Sequence, residues 1–274
     1  METASAIEAL EIDLLLEALY QCHGFDFRNF ERAPLVRRLH GVLRQAGLTT
    51  ISALQDRVLH DARSCAALLR TLSVAPARLF DEPEQARLQR IVLGSCLRAS
   101  PLPRVWLAEC AGAQEAWSLA ILLAEEKLHP HTEIFATVAN PELLCEASAA
   151  TMSMAALDAC QQNYRDSGGA GELLDYFCVE DDRASLLPAL RSKIVWAQYN
   201  LSTDASFNEF QLIMCRRALP DFGPLLRRRV LQLFHDSLSL FGVLAIDRLF
   251  GAGETLGHCY QPVFASEPWY KRIA

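Results

Sequence analysis

VWLAECAGAQEAWSLAILLAEE, residues Val105 to Glu126, is the stretch on which the reading of this chain turns. An apolar strand runs into a turn of small residues, and a helical segment follows with Leu119, Leu122 and Leu123 on one face. A turn of this kind lets a nucleotide-like ligand approach the backbone at a helix N-terminus. Glu109 and Ala113, however, stand where tight-turn glycines are expected, and only Gly112 remains. The architecture of a ligand-binding turn is kept while its letters are altered.

Working outward, the segment from Ile7 to Arg98 is helical in pattern throughout, with amphipathic runs at Ile7–His23, Ala33–Ala46, Ile51–Leu59, Ala62–Leu72 and Pro83–Leu97. Residues 98–103 supply linker chemistry. Beyond Pro103 short apolar strands alternate with longer helices: strands at Arg104–Leu107, Glu133–Thr137, Ile194–Gln198, Gln211–Cys215 and Gly242–Asp247, helices near Ala113–Lys127, Pro141–Met152, Glu172–Phe177 and Leu225–Leu238. That alternation predicts a mostly parallel sheet covered on both faces. The expected division is a helical domain over 1–98 and an α/β domain over 99–274, with an insertion near 167–190 whose Ser167–Gly171 stretch reads as flexible.

Composition narrows the function. With 274 residues and 51% hydrophobic content the chain can bury one large core or two moderate ones. A net charge of −7 argues against a general nucleic-acid binder. Nine scattered cysteines without a CxxC pair read as reduced thiols of a cytoplasmic protein. The N-terminus lacks signal-peptide chemistry, and no window approaches 18 uninterrupted apolar residues, so no membrane insertion is expected. No metal site is expected: His129-Pro-His131 lacks a partner at ligand spacing and reads as a solvated loop. The run Arg227-Arg228-Arg229 reads as a solvated helix face.

Several stretches, in order, carry a resemblance: Phe25–Leu48, Leu72–Pro83, the opening segment, Phe135–Leu144, Gln198–Leu201 and Phe210–Phe222. Together they resemble the CheR-type chemoreceptor methyltransferases over nearly the whole chain. The resemblance implies a Rossmann-like S-adenosylmethionine-methyltransferase fold joined to a small all-helical N-terminal domain. It also implies a role in bacterial chemotaxis signalling, with S-adenosylmethionine or S-adenosylhomocysteine as the cofactor wherever the altered site still binds it.

Carried over residue by residue, the cleft candidates are Cys110, Ala111, Gly112, Glu115, Asn200, Leu201 and Arg216. The family's Asn-x-Thr-x-Phe-Phe-Arg stretch falls on Ala75, Ala77, Leu79, Phe80 and Asp81, so both polar groups and the arginine are replaced. The first acid of its Gly-Glu-Glu becomes Gln114, the ribose-binding acid falls on Val138, the asparagine after Arg216 is Arg217, and the tyrosine of its Ile-Tyr-Phe is Asp221. Each lost bond to a charged acceptor removes about 1.5–3 kcal/mol. Asp81 and Asp221, if both line the mouth, each repel a substrate carboxylate by about 1–4 kcal/mol at ~4 Å. The resemblance further implies that a basic helical face, here Arg28, Arg32, Arg37, Arg38 and Arg44, meets a signalling protein or the acidic helix of a chemoreceptor-like partner.

Three functional readings follow. The first is a pseudo-methyltransferase serving as a regulatory binding module. The second is an active protein-glutamate O-methyltransferase, and the third a small-nucleotide binder using Arg216 and Arg217 on phosphate.

Overall fold

In the computed structural model, which describes residues 2–251 and 254–274, the chain divides into two compact units. The first comprises residues 1–74 and 218–230, the second 75–217 and 231–274. The boundary thus precedes the expected one at 98/99, because the fifth helix buries Val92, Leu93 and Leu97 in the core of the α/β unit.

The helical unit holds α1 (Glu2–His23), α2 (Arg32–Ala46), α3 (Ile51–His60) and α4 (Ala62–Leu72). Sequence and local chemistry explain the breaks. Gly47 takes a left-handed φ of 65° and closes α2 through its amide to Arg44 O and Leu43 O. Thr50 caps α3 by accepting from Ala53 N, and the Asp61 carboxylate caps α4 by accepting from Arg63 N and Ser64 N. The Ser64 hydroxyl, donating to the same carboxylate at 2.6 Å, does most to hold the Asp61 carboxyl below the usual carboxylate range, and the two amides add to it. The apolar stripes meet in a core of Leu15, Leu19, Leu39, Leu54 and Leu68, all essentially inaccessible. Each is worth about 1.5–3 kcal/mol of burial.

The α/β unit begins with α5 (Pro83–Leu97) and continues β1 (Arg104–Leu107), α6 (Ala113–Glu125), β2 (Glu133–Val138), α7 (Pro141–Ser148), β3 (Met152–Ser153), α8 (Met154–Asp158) and α9 (Gln161–Asp166). Then come β4 (Phe177–Glu180), β5 (Arg183–Leu186), α10 (Pro188–Arg191), β6 (Ile194–Gln198), β7 (Phe210–Cys215), β8 (Leu238–Ile246), β9 (Tyr260–Pro262) and β10 (Trp269–Arg272), while α11 (Pro224–Ser237) has its residues up to Val230 in the helical unit and the rest in this one. The main sheet has the order β6-β2-β1-β7-β8-β10-β9. Its first five strands are parallel, whereas β10 is antiparallel to both β8 and β9. All five expected strands are present, β8 starting four residues earlier than expected.

The insertion supplies β4 and β5, which with β3 from before it form a three-stranded antiparallel sheet, β3-β5-β4, that periodicity alone did not indicate. The expected helix near Glu172–Phe177 is a short 3-10 turn, Leu173–Tyr176. The stretch expected to be flexible is a tight turn: Ser167 is fully buried, its hydroxyl bonds Tyr164 O at 2.6 Å, and Gly169 N donates to the same carbonyl at 3.0 Å.

Candidate functional site

In the parallel part of the sheet, chain order runs from β1 to β2 and β6 on one side and to β7 and β8 on the other. The reversal lies between β1 and β7, and open α/β sheets hold ligands beyond the carboxyl ends of their strands at such a point. There β1 leads into the turn Ala108–Gly112 and β7 into Arg216 and Arg217. The turn is tied to both neighbours: Ala108 N donates to Met214 O at 2.9 Å and Cys110 N to Thr137 O at 2.8 Å.

The backbone of this turn explains its letters. Gly112 has φ 87° and precedes the first helical residue, Ala113, so alanine there is an ordinary helical position. Glu109 has φ 54°, in the left-handed region that favours glycine. Its carboxylate accepts from Ala139 N at 3.2 Å, joining the ends of β1 and β2. Desolvation pushes the Glu109 carboxyl up to about 7, the Ala139 amide opposing that rise.

The remaining turn groups are also satisfied from within. Glu115 accepts from Ala111 N at 2.6 Å, and desolvation raises its carboxyl above the usual range. Gln114 Oε1 accepts from Leu79 N at 3.0 Å, and the Ser118 hydroxyl accepts from Phe80 N at 3.1 Å while donating to Gln114 O at 2.8 Å. The Cys110 thiol is buried, donates to Gly112 O and has its pKa raised by desolvation, which leaves it a packing group rather than a nucleophile. Val138, at the end of β2, is buried and offers no side-chain acceptor.

Asp81 does not face the mouth as an isolated anion. It pairs with Arg217 at 2.7 Å, and Glu82 pairs with both Arg217, at 3.1 Å, and Arg216. Two carboxylates and two guanidiniums thus make a neutral cluster. It lines a pocket of about 50 Å³ together with Glu115, Ser118 and Met214. Glu82 is not among the residues the sequence singled out; it stands at the start of α5, and its side chain makes no cap bond there. Asn200 and Leu201 follow β6; Asn200 Oδ1 accepts from Ser202 N and Leu201 is buried.

Asp221 lies in the helical unit. It is nearly buried and accepts from Arg38 Nη2 at 2.6 Å, while its carbonyl accepts from Glu31 N at 2.8 Å. The expected repulsion of a substrate by Asp221 is therefore replaced by an internal ion pair. Asp221→Ala would strand a half-buried Arg38, and a loss of about 1–3 kcal/mol is expected. Urea unfolding of the variant checks this; an unchanged midpoint would show that the pair contributes nothing.

The basic face is smaller than the sequence suggested. Arg28 pairs with Asp26 and Glu17 and lies over the Tyr20 ring, and Arg32 pairs with Asp13. Arg37 and Arg44 remain exposed on α2. Arg227 is buried, so only Arg228 and Arg229 of the triple lie at the surface. His129 is likewise buried, its ring Nε2 3.2 Å from Leu190 O, instead of solvated. Among the described residues no cluster of three candidate metal ligands occurs, and no helix is long and apolar enough to cross a membrane.

A mostly parallel sheet with this switch point, a short turn into α6 and an additional helical unit define a Rossmann-like α/β class of fold. Comparison with known proteins assigns the family. Residues 79–265 match the S-adenosylmethionine-binding domain of CheR methyltransferases and residues 10–73 the CheR all-alpha domain, so the chain belongs to the CheR methyltransferase family. It is 38% identical to a putative methyltransferase, Cher3, of Pseudomonas putida, over 86% of this chain and 87% of that one. It is 29% identical to a chemotaxis protein methyltransferase of Listeria monocytogenes, over 81% and 83%. Among solved structures, the N-methyltransferase NodS from Bradyrhizobium japonicum in complex with S-adenosyl-L-homocysteine is similar over 81% of this chain and 98% of its own, at 13% identity and a TM-score of 0.39.

Proposed function

We propose that this CheR-family protein is a non-methylating binding module of a chemoreceptor-like signalling system in the cytoplasm. The observation that carries the reading is Glu109. A carboxylate at a left-handed, glycine-type position reaches across the ends of β1 and β2 and takes the Ala139 amide. Around it Val138 offers no acceptor for a ribose hydroxyl, and Gln114 Oε1 and Glu115 Oε2 accept from amides of their own chain. These residues do not fit S-adenosylmethionine, and no step of methyl transfer is derived through it.

The partner surface we assign is the exposed strip of α2. Arg37 and Arg44 flank Gly41, where a side chain would meet nothing within 4 Å. Seven helical residues span about 10.5 Å, so the two guanidiniums suit carboxylates two turns apart on an acidic helix. The nucleotide reading loses support, because Arg216 and Arg217 are already neutralised by Glu82 and Asp81.

An active protein-glutamate O-methyltransferase is the second reading. It is favoured by relatives named as chemotaxis protein methyltransferases and by Asn200, Leu201 and Arg216. Calorimetric titration with S-adenosylmethionine and S-adenosylhomocysteine separates the two. No binding up to about millimolar ligand is expected for a site missing several charged hydrogen bonds. Micromolar binding, followed by methyl-ester formation on an acidic receptor helix, would overturn the proposal.

A further inference from the structure

At the opposite end of β1 from the turn, the α/β unit holds a second concavity of about 370 Å³. The C-terminal end of α5, the connection into β1 and the turn after α6 border it, and it opens to solvent. Leu97 and Leu128, both buried, and Pro103 give it an apolar floor, while Arg98, Lys127 and His131 stand at the rim.

The rim is electrostatically unbalanced. Arg98 reaches a carboxylate, Glu126, only at 3.8 Å. Among the described residues the side chains of Lys127 and His131 have no hydrogen-bond or ion-pair partner. Two permanent cations thus share one distant anion, in a chain whose net charge is −7.

Helix capping does not account for the arrangement. Near the end of α6 backbone amides take three carbonyls, Glu126 N to Leu122 O and Lys127 N to Ala124 O at 3.0 Å and Leu128 N to Leu123 O at 2.8 Å, and neither the Lys127 nor the His131 side chain caps the helix. Lys127 holds φ 57°, where glycine would close the same turn without strain. The position therefore keeps an ammonium group at a conformational cost.

We infer that this concavity binds a small organic anion, its carboxylate or phosphate head on Arg98 and Lys127, with His131 as a further polar contact, and its apolar body on Leu97, Leu128 and Pro103. The volume falls in the range of small-molecule sites, about 300–1,000 Å³. The inference is independent of whether the cleft at the other end of the sheet takes a cofactor.

The test titrates the full chain with benzoate, phenyl phosphate and inorganic phosphate while following backbone amide resonances. At least one aromatic anion is expected to bind with sub-millimolar Kd and to move the signals of Ser100, Lys127 and Leu128. Inorganic phosphate, which cannot use the floor, is expected to bind at least about tenfold more weakly. Benzoate and phenyl phosphate distinguish a carboxylate head from a phosphate ester. The double variant R98Q/K127Q is expected to lose about tenfold or more in affinity. If it fails to fold by circular dichroism, Lys127→Gln alone makes the same comparison with about a threefold loss. Absence of binding, signals moving only around Gly112 and Glu115, or unchanged affinity in the folded variant would each overturn the proposal.

Discussion

At pH 8, Glu109→Gln is expected to be more stable than the unsubstituted chain by about 2 kcal/mol, and at pH 4 the two should be equally stable. The Glu109 carboxyl has an ordinary value of 4.5 and stands near 7 in the folded protein. For an acid raised on folding, the folded state holds the proton while the unfolded chain has released it. Stability from this group is fully present below about 4.5 and is lost as pH rises through about 7, about 3 kcal/mol for a fully buried carboxyl and about 2 kcal/mol for this half-buried one. Glutamine keeps the shape and cannot ionise, so the difference between the two proteins isolates the group. Glu109→Gly adds a second gain, about 1 kcal/mol from releasing the left-handed backbone, present at every pH. Urea midpoints of the three proteins between pH 4 and 8 supply the measurement. A gain for Glu109→Gln that does not vary with pH would refute the burial of this carboxylate. Titrating Glu109→Gly with S-adenosylhomocysteine then tests whether this carboxylate alone excludes the cofactor. Val138 and the internally bonded Gln114 remain in that variant, so binding is expected to stay absent.

That position shows what the sequence could and could not tell. The turn was legible because small residues between an apolar strand and a helix have few alternative folds, and Glu109 stood out as a non-glycine at a tight turn. Its bond to Ala139 was not legible, since the two residues are thirty apart and meet only when β1 pairs with β2. The same limit applies to Asp81 and Asp221. Each reads as an unpaired acid in sequence, yet each finds an arginine more than 130 residues away. The five parallel strands were visible as apolar runs, whereas β3, β4 and β5 were not. They have two to four residues each and pack one face, too short for alternation to register. The basic stripe of the helical unit was overcounted for a related reason. Arginine spacing identifies the face but not the acids on α1 that neutralise Arg28 and Arg32.

Gly169→Ala is expected to cost about 3 kcal/mol, the largest single effect at a position that touches neither the cleft nor the partner strip. A β-carbon there would lie 2.3 Å from two ring atoms of Tyr164, closer than any real contact. The ring cannot swing aside. Tyr164 is fully buried, its hydroxyl donates to Glu125 at 2.5 Å, and Glu125 in turn pairs with Arg90 at 2.7 Å. Phe80 and Tyr176 pack against the ring at centroid distances of 5.3 and 6.1 Å. Moving Tyr164 would therefore disturb α5, α6 and the 3-10 turn leading into β4 together. The glycine-rich stretch thus fits closely around the ring that ties α9 to α5 and α6. A fall in Tm of about 6–12 °C should accompany the change. Tyr164→Phe separates the two contributions: it keeps the ring and removes the bond to Glu125, with an expected loss of about 1–2 kcal/mol. In the double variant Gly169→Ala with Tyr164→Ala the clash disappears. If the damage comes from the collision, that double variant should unfold no earlier than Tyr164→Ala alone. If it unfolds earlier, the cost lies in the backbone of the turn and not in the ring.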